Sequence, residues 1–249
     1  MERDSGASDG GAAAGSEPRQ RWRLAFRREA GSHAEAPRDF VPHWLERLVA
    51  AGLPLASRGG RAHSALALGA PLPLGMAAER ELADLLVAER LPAWQVREAV
   101  EATLPDGCTL VELGDVWLGA PALSGAIVGA DYRVTLATDG DPGPDTLRSA
   151  AEALLAETSV QRVRRKGGRD VAYDLRPLLA AIEVLAGPPT VARIRTRFDP
   201  ERGSGRPDEV FAALGDRIGH PIETAETVRE RLLLAEDLAR FPVVAAPLG

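Results

Sequence analysis

Cysteine, lysine, aromatic residues and long apolar runs are all scarce in this 249-residue chain. The single cysteine, Cys108, excludes a disulfide framework, a zinc site built on several thiolates, and an iron–sulfur cluster held by three or four cysteines. The sequence has no run of 18 apolar residues, so we expect no membrane-spanning helix. The first residues lack the apolar core of a secretory signal, and a single thiol suits a reducing compartment, so we expect a cytoplasmic protein.

Motifs for metal binding and catalysis are also missing from the sequence. The four histidines are scattered and do not show the His-x₃-His or His-Glu-x-x-His spacing that places two zinc ligands on one helix face. Neither a Gly-x-Ser-x-Gly elbow nor a paired-carboxylate motif stands out. We therefore expect no metal and no cofactor, and the sequence favours a protein without catalytic residues.

Lys166 is the only lysine, so 29 of the 30 basic residues are arginine. This skew, together with abundant alanine, glycine and proline, is typical of a GC-rich coding sequence. A single arginine is therefore weak evidence for an anion site, even though its guanidinium suits bidentate binding. Only clusters of arginine at structural spacing are informative here.

What is present is an ordinary globular composition, with 45% hydrophobic and 27% charged residues, whose apolar patterning predicts an α+β fold. Trp44 and Trp94 fall on predicted helix faces and are expected in the core. The second half reads strand, helix, strand, strand, helix, strand, which is the order of the ferredoxin-like βαββαβ module, and the first half reads nearly the same. We predict two tandem ferredoxin-like modules at residues 21–118 and 119–205, with a disordered tail at 1–20 and a small C-terminal extension at 206–249.

Local signals predict several individual elements. Pro177 is expected to open a helix over residues 178–185, and a hairpin is expected around Gly167. Residues 79–90 and 224–239 have helical propensity, but both segments also fit a strand.

Four stretches carry a resemblance to a known family: residues 45–57 (LERLVAAGLPLAS), 70–75 (APLPLG), 174–177 (DLRP) and 205–215 (GRPDEVFAALG). Together they resemble the radical SAM-linked protein family, a domain of unknown function. Its members are encoded beside, or fused behind, an uncharacterised radical S-adenosylmethionine protein. The resemblance spans residues 21–235 and implies a radical SAM protein as partner, but it implies no known activity.

The resemblance also directs attention to a loop after the second predicted strand. Family members carry Ser-His-x-Asp at the start of the first helix, of which Asp39 remains, and Ser-Gln-Gly-Phe-Asn-Pro-His-Pro in the loop, of which Ser57, Gly59 and His63 remain. A Gly-Gly loop flanked by arginine suits a phosphate cradle or an ordinary hairpin tip, and Asp39 suits a helix N-cap or an acid. The loop-site candidates are Asp39, Ser57, Arg58, Gly59, Gly60, Arg61 and His63.

The strongest charge feature is a basic region over residues 160–198, which has a net charge of +6 in a chain whose net charge is −6. Arginines alternate along a predicted strand in this region and on the hairpin, so each set is expected to share one sheet face. Such a face suits RNA phosphates, an acidic patch on a protein, or plain solvation. The candidate anion- or nucleic-acid-binding residues are Arg162, Arg164, Arg165, Lys166, Arg193, Arg195 and Arg197.

Three functional hypotheses follow from these observations. The first is a non-catalytic accessory protein that docks to a radical SAM enzyme or presents its substrate, with RNA as a candidate substrate. The second is a stand-alone RNA-binding module, although the predicted open-face strands offer no aromatic pair for base stacking. The third is a small hydrolase or transferase that uses Asp39 and His63, which requires the two residues to meet in space.

Overall fold

The computed structural model describes residues 17–31, 37–56, 65–185 and 187–240. The elements of the first half are β1 (Gln20–Arg28), α1 (Pro37–Ala50), β2 (Leu66–Leu68), β3 (Ala77–Val87), α2 (Ala93–Thr103) and β4 (Cys108–Val116). β1 lies between β3 and β4 and is antiparallel to both, and β2 is antiparallel to β3. The first half therefore has the element order β-α-β-β-α-β and the strand order β2-β3-β1-β4.

The second half repeats this arrangement with a hairpin inserted. Its elements are α3 (Leu123–Ala126), β5 (Ile127–Leu136), α4 (Pro144–Ala156), β6 (Gln161–Lys166), β7 (Arg169–Asp174), β8 (Leu179–Leu185), β9 (Val191–Asp199), β10 (Gly203–Ser204), α5 (Pro207–Ile218), β11 (Thr224–Leu234) and α6 (Asp237–Arg240). β5 lies between β9 and β11 and is antiparallel to both, and β8 is antiparallel to β9. The strand order β8-β9-β5-β11 thus matches that of the first half, and β6 and β7 form a separate two-stranded sheet.

The two halves are joined by a strand pair and by a shared apolar cluster, which includes Leu82 of the first half and Ile127 and Leu232 of the second. β11 pairs with β3 in the parallel direction, and this pair links the strands into a nine-stranded mixed sheet. The predicted α+β class is confirmed. Although α5 and β11 fall in the predicted C-terminal extension, α5 packs into the second core and β11 lies inside the sheet.

Each half buries its own core between the sheet and two helices. In the first half, alternation on β1 turns Trp22, Leu24 and Phe26 towards α1 and α2, and Trp44 of α1 meets Phe26 edge to face at 5.5 Å between ring centroids. In the second half, alternating apolar residues of β5 and β9 pack against the apolar faces of α4 and α5. The face of β5 and β9 that lies away from α4 and α5 is left for charged side chains.

Several predicted elements are corrected by the structure. Residues 179–185 form strand β8 rather than a helix. Pro177 lies in a single 3₁₀ turn, and the residues that follow this turn pair with β9. Of the two ambiguous segments, residues 79–87 lie in β3 and residues 224–234 form β11, where pairing on both sides overrides helical propensity, while residues 237–239 lie in the short helix α6. Asp39 lies in the first turn of α1, which begins at Pro37, so it is not an N-cap. Trp44 is buried as expected, but Trp94 is 67% exposed.

Candidate anion-binding cleft

The side of β9 that faces away from the helices carries three of the predicted arginines. Ala192 and Ile194 point into the second core, so alternation places Arg193, Arg195 and Arg197 on the opposite face. The neighbouring strand β5 sets Arg133, Asp131 and Gly129 directly across from these three arginines.

Two of the three arginines form ion pairs with carboxylates of the strands β5 and β11. Arg195 donates two parallel hydrogen bonds to Asp131, from Nε to Oδ1 at 2.7 Å and from Nη2 to Oδ2 at 2.9 Å. These bonds raise the pKa of Arg195 above its ordinary value, against the opposing effect of burial. Arg193 and Arg133 both lie 3.3 Å from the same oxygen of Glu230. Arg193 and Arg195 therefore have hydrogen-bond donors engaged within the protein, although Asp131 is shared with Arg231 and Glu230 with Arg133.

Arg197 opens onto a cleft of about 420 Å³ that is bounded by β5, β9 and α6. Its side chain is exposed, and its Nη1 lies 3.4 Å from the carbonyl oxygen of Pro177. In the part of the chain that the structure describes, no carboxylate lies within ion-pair distance of Arg197. The cleft is also lined by Arg195, Arg202, Asp199, Phe198, Leu233 and Leu238.

Arg202 is a site residue that the sequence analysis missed. Its side chain is 58% exposed and its Nη1 lies 3.3 Å from Asp199. The Asp199 carboxylate also accepts hydrogen bonds from the backbone N–H groups of Glu201 and Arg202, and these bonds lower its pKa. An aspartate followed by proline and glycine is a turn signal, so the position of Arg202 at the end of β9 was available from the sequence.

Gly129, a second missed residue, lets the backbones of β5 and β9 come close together beside the cleft. A Cβ atom at this position would fall against the carbonyl oxygen of Thr196. Glycine is therefore required by the space available, and any side chain here would displace the strand that carries Arg195 and Arg197.

The β6–β7 hairpin is fixed to the rest of the protein by two of its predicted arginines. Arg162 forms ion pairs with Asp216 and Glu209 of α5. Arg164 lies over the ring of Tyr173, 4.8 Å from its centroid, and its Nη2 donates to the carbonyl oxygen of Arg202 at 3.2 Å. The hairpin is thereby held beside the cleft.

The exposed basic residues of the hairpin are Arg165 and Arg169, which lie opposite Asp170 and Lys166 in the strand pairing. The Lys166 side chain lies outside the described part of the structure. Of the seven predicted anion-binding residues, Arg162, Arg164, Arg193 and Arg195 are thus engaged within the protein, while Arg165 and Arg197 face solvent.

One protein-family model matches residues 21–206, which is most of the chain. The chain belongs to the family described as an uncharacterized protein conserved in bacteria (DUF2344). The match includes the cleft arginines and ends before β11. The family description names no activity and no partner, so the radical SAM association of this DUF2344 chain stays a prediction.

Other known proteins add little to the DUF2344 assignment. No curated protein matches the chain. Among solved structures, a Cbf5–Nop10–Gar1 complex is similar at 12% identity and a TM-score of 0.47, covering 84% of this chain and 48% of that chain. An archaeal box H/ACA sRNP Nop10–Cbf5 complex has 13% identity and a TM-score of 0.41, covering 82% and 46%. An H/ACA RNP bound to a substrate RNA containing 2'-deoxyuridine has 13% identity and a TM-score of 0.45, covering 84% and 47%. The DUF2344 chain spans about half the length of these chains, and a likeness of this size assigns neither a fold family nor a role.

The predicted loop site lies almost entirely outside the described residues. This applies to Ser57, Arg58, Gly59, Gly60, Arg61 and His63. Asp39 is half-buried in the first turn of α1, where a carboxylate is favoured by the helix dipole. The pairing of Asp39 with His63 stays a prediction.

Other chemistry-bearing groups in the described residues show no reactive arrangement. Burial raises the pKa of the Cys108 thiol to about 11, despite the opposing effect of Arg28, so the thiol is neutral at physiological pH. The described residues contain no group of three or more His, Cys, Asp or Glu side chains placed to hold a metal ion. None of the described helices is long and apolar enough to cross a membrane.

Two of the stretches that carry the family resemblance have structural roles. Arg229 of β11 donates hydrogen bonds to the carbonyl oxygens of Pro71 at 2.9 Å and Ala70 at 3.2 Å, and it pairs with Glu81 of β3. Arg176 donates to the carbonyl oxygens of Leu155 and Glu157 at the end of α4 and so caps that helix. The stretches at residues 70–75 and 174–177 therefore stabilise the fold, and the second of them also contributes Pro177 to the wall of the cleft.

Proposed function

We propose that this protein is a non-catalytic cytoplasmic accessory protein of two ferredoxin-like modules. In this proposal it binds RNA at the arginine-lined cleft and presents it to a partner radical SAM enzyme. The observation that carries the RNA-binding part is the pair Arg197 and Arg202 in one open cleft, beside a hairpin with Arg165 and Arg169 exposed. The strand order repeated in the two halves supports the two-module description.

A phosphate backbone fits this surface better than a single small anion. Guanidinium groups bind phosphate oxygens through paired N–H donors, and several of them spaced along a surface follow a chain of phosphates. Arg164 connects the hairpin to Arg202. The register places Arg169 on the same face of the hairpin as Arg164 and Arg165 on the opposite face, so Arg169 is the exposed hairpin arginine that extends the cleft surface.

Among the described residues that line the cleft, Phe198 is the one aromatic residue. Stacking therefore contributes through a single ring at most, and single-strand readers that recognise sequence rely on several. We expect binding that tolerates sequence changes and weakens steeply with salt, because phosphate contacts carry it.

The partner part of the proposal rests on the family resemblance and on the cysteine count. A radical SAM cluster needs three cysteine ligands, and this chain has one cysteine. The radical chemistry would therefore belong to the other polypeptide, while this chain contributes recognition of the RNA.

The RNA-binding part is tested by fluorescence anisotropy with a fluorescein-labelled tRNA transcript, titrated from 50 to 200 mM KCl. For the wild-type protein we expect the logarithm of the binding constant to fall linearly with the logarithm of salt concentration. Arg197→Ala with Arg202→Ala should weaken binding about tenfold at the lowest salt and reduce the salt slope by about one to two.

The matched control is Arg97→Ala with Arg148→Ala, which removes two partly exposed arginines from the helices α2 and α4. It lowers the net charge by the same amount but leaves the cleft intact. Equal weakening in both double variants, binding that ignores salt, or no binding at 50 mM KCl would each contradict RNA binding at this cleft.

The partner part is tested separately by mixing the purified protein with the radical SAM protein encoded beside it. Analytical size-exclusion chromatography at about 10 μM should show co-elution if the affinity is micromolar or tighter. Separate elution at 100 μM would contradict the proposed radical SAM partner. RNA binding would then be judged by the anisotropy titration alone.

A further inference from the structure

A second surface lies at the edge of the sheet far from the cleft, along β4. This strand ends the strand order, and within the described residues it pairs only with β1. The register places Glu112 opposite Ala25 and Leu110 opposite Phe26, so Val111 is an extra residue that forms a bulge. Residues 112–116 beyond the bulge form a regular edge with unpaired backbone N–H and C=O groups, which can pair with another chain.

Two exposed tryptophans stand at the end of this edge. Trp94 is 67% exposed and Trp117 is 78% exposed, whereas Trp22 and Trp44 are buried. Trp117 directly follows β4, and Trp94 lies in the first turn of α2. Exposed tryptophan is uncommon on free surfaces and enriched at protein–protein interfaces.

Gln20 holds the two tryptophan-bearing segments together. Its Nε2 donates to Asp115 near the end of β4 at 2.9 Å, and its Oε1 accepts a hydrogen bond from the N–H of Leu91 at 3.0 Å, just before α2. The start of α2 and the end of β4 therefore meet at one corner of the first half, and Trp94 and Trp117 each lie within three residues of the Gln20 contacts along the chain.

The charge of this surface is opposite to that of the cleft. Residues 93–116 contain five exposed carboxylates, on Glu98, Glu101, Asp106, Glu112 and Asp115, against the single arginine Arg97. Arg80 pairs with Glu112 at 2.8 Å, so a net excess of negative charge remains on α2 and β4. Such a surface repels a phosphate backbone and attracts a cationic segment.

We infer that the β4 edge binds an extended, arginine- or lysine-rich segment of a partner protein. The backbone of the segment adds a strand alongside residues 112–116. Its cationic side chains contact the carboxylates of α2 and β4 and lie against the exposed rings of Trp94 and Trp117. This surface is separate from the cleft, so the inference holds or fails independently of RNA binding.

The test uses the full chain and synthetic nine-residue peptides. The probe alternates arginine with valine; one control peptide replaces arginine with glutamate, and a second keeps the arginines but interrupts the strand with proline. Isothermal titration calorimetry measures affinity, and hydrogen exchange with mass spectrometry measures protection of the amides of β4. We expect the arginine–valine peptide to bind at least about tenfold more tightly than either control and to protect residues 112–116.

Trp94→Ser with Trp117→Ser should weaken binding of the probe peptide about fivefold or more. Its matched control, Val49→Ser, alters another exposed apolar residue, on α1, and should leave binding unchanged. Binding of the labelled tRNA transcript should be unchanged in the tryptophan variant, which separates this surface from the cleft.

Three outcomes would overturn the inference. One is no calorimetric binding of the arginine–valine peptide at 1 mM, and another is equal affinity for the proline-interrupted peptide, which would show charge attraction without strand addition. The third is full protection of the β4 amides in the protein alone, which would show that a second copy or another segment of this chain already covers the edge.

Discussion

Arg229 and Arg197 carry the same guanidinium group in opposite surroundings. Arg229 is 1% exposed and donates hydrogen bonds to Glu81 and to the carbonyl oxygens of Ala70 and Pro71. Arg197 is exposed in the cleft and has one long hydrogen bond to Pro177. The guanidinium of Arg229 is engaged in holding distant segments together, whereas that of Arg197 keeps donors available for a ligand.

A second arginine, Arg21, is also buried, and it lies in the first half of the chain. Arg21 of β1 pairs with Asp84 of β3 and donates to the carbonyl oxygens of Ala120 and Pro121 at 2.8 Å each. Both buried arginines thus connect a strand to a segment distant in sequence. For Arg229, burial is the largest single influence and lowers the pKa, but Glu81 and Tyr132 together outweigh it, so the pKa is raised.

The contrast between buried and exposed arginines is tested most strongly by Arg229→Met. Removing the guanidinium leaves the Glu81 carboxylate buried without its partner, and two carbonyl oxygens lose their donor. We expect a loss of about 3–5 kcal/mol in the free energy of unfolding, measured by urea denaturation at pH 7. Arg229→Met combined with Glu81→Leu should recover much of the loss, because no unpaired charge then remains buried. A loss below about 1 kcal/mol in the single variant would mean that the pair is not structural.

Gly129→Ala is expected to have the next largest effect. The added methyl group would fall against the carbonyl oxygen of Thr196 and push β5 and β9 apart. We expect a loss of about 1–3 kcal/mol in unfolding free energy, together with weaker RNA binding because the cleft is distorted. Gly125→Ala is the matched control, since a Cβ at that position meets nothing within 4 Å. Equal free energies of unfolding for the two variants would show that the close approach of β5 and β9 at Gly129 does not require glycine.

Arg176→Ala removes the side chain that caps α4 through the carbonyl oxygens of Leu155 and Glu157. We expect a loss of about 1–2 kcal/mol in thermal or urea unfolding, because several carbonyl groups lose a charged donor. Arg148→Ala provides the contrast on the same helix. Arg148 pairs with the exposed Asp145 one turn away, and such pairs contribute at most about 0.5 kcal/mol. Similar losses in the two variants would contradict the capping role.

Much of the fold could be predicted from hydrophobic periodicity. The sequence predicts strand character over Cys108–Val116 and a helix over Ala93–Thr103, where apolar residues recur at helical spacing, and the structure has both elements at these bounds. The segment 178–185 was assigned to a helix because a proline precedes it and its apolar residues fit either period. Pairing with β9 decides that it is a strand, and this information is not local.

The candidate site was also only partly predictable, because the partners of its arginines come from strands distant in the sequence. Alternation placed Arg193, Arg195 and Arg197 on one face, but it gives no information about which carboxylates lie opposite. Asp131 and Glu230 come from other strands and form ion pairs with two of the three arginines. The remaining arginine of the cleft, Arg202, lies in a turn where no periodicity applies.

The smallest effect on stability is expected for Arg197→Ala with Arg202→Ala. Both side chains are exposed, and the pair between Arg202 and Asp199 is at the surface, so the free energy of unfolding should change by less than about 0.5 kcal/mol. The same variant is expected to lose most of its RNA binding at low salt. Arg229→Met should show the reverse pattern, with lowered stability but unchanged RNA affinity at temperatures where it stays folded. If the cleft variant instead destabilises the protein as much as Arg176→Ala does, its arginines act as structural residues and the distinction between the two sets of arginines is wrong.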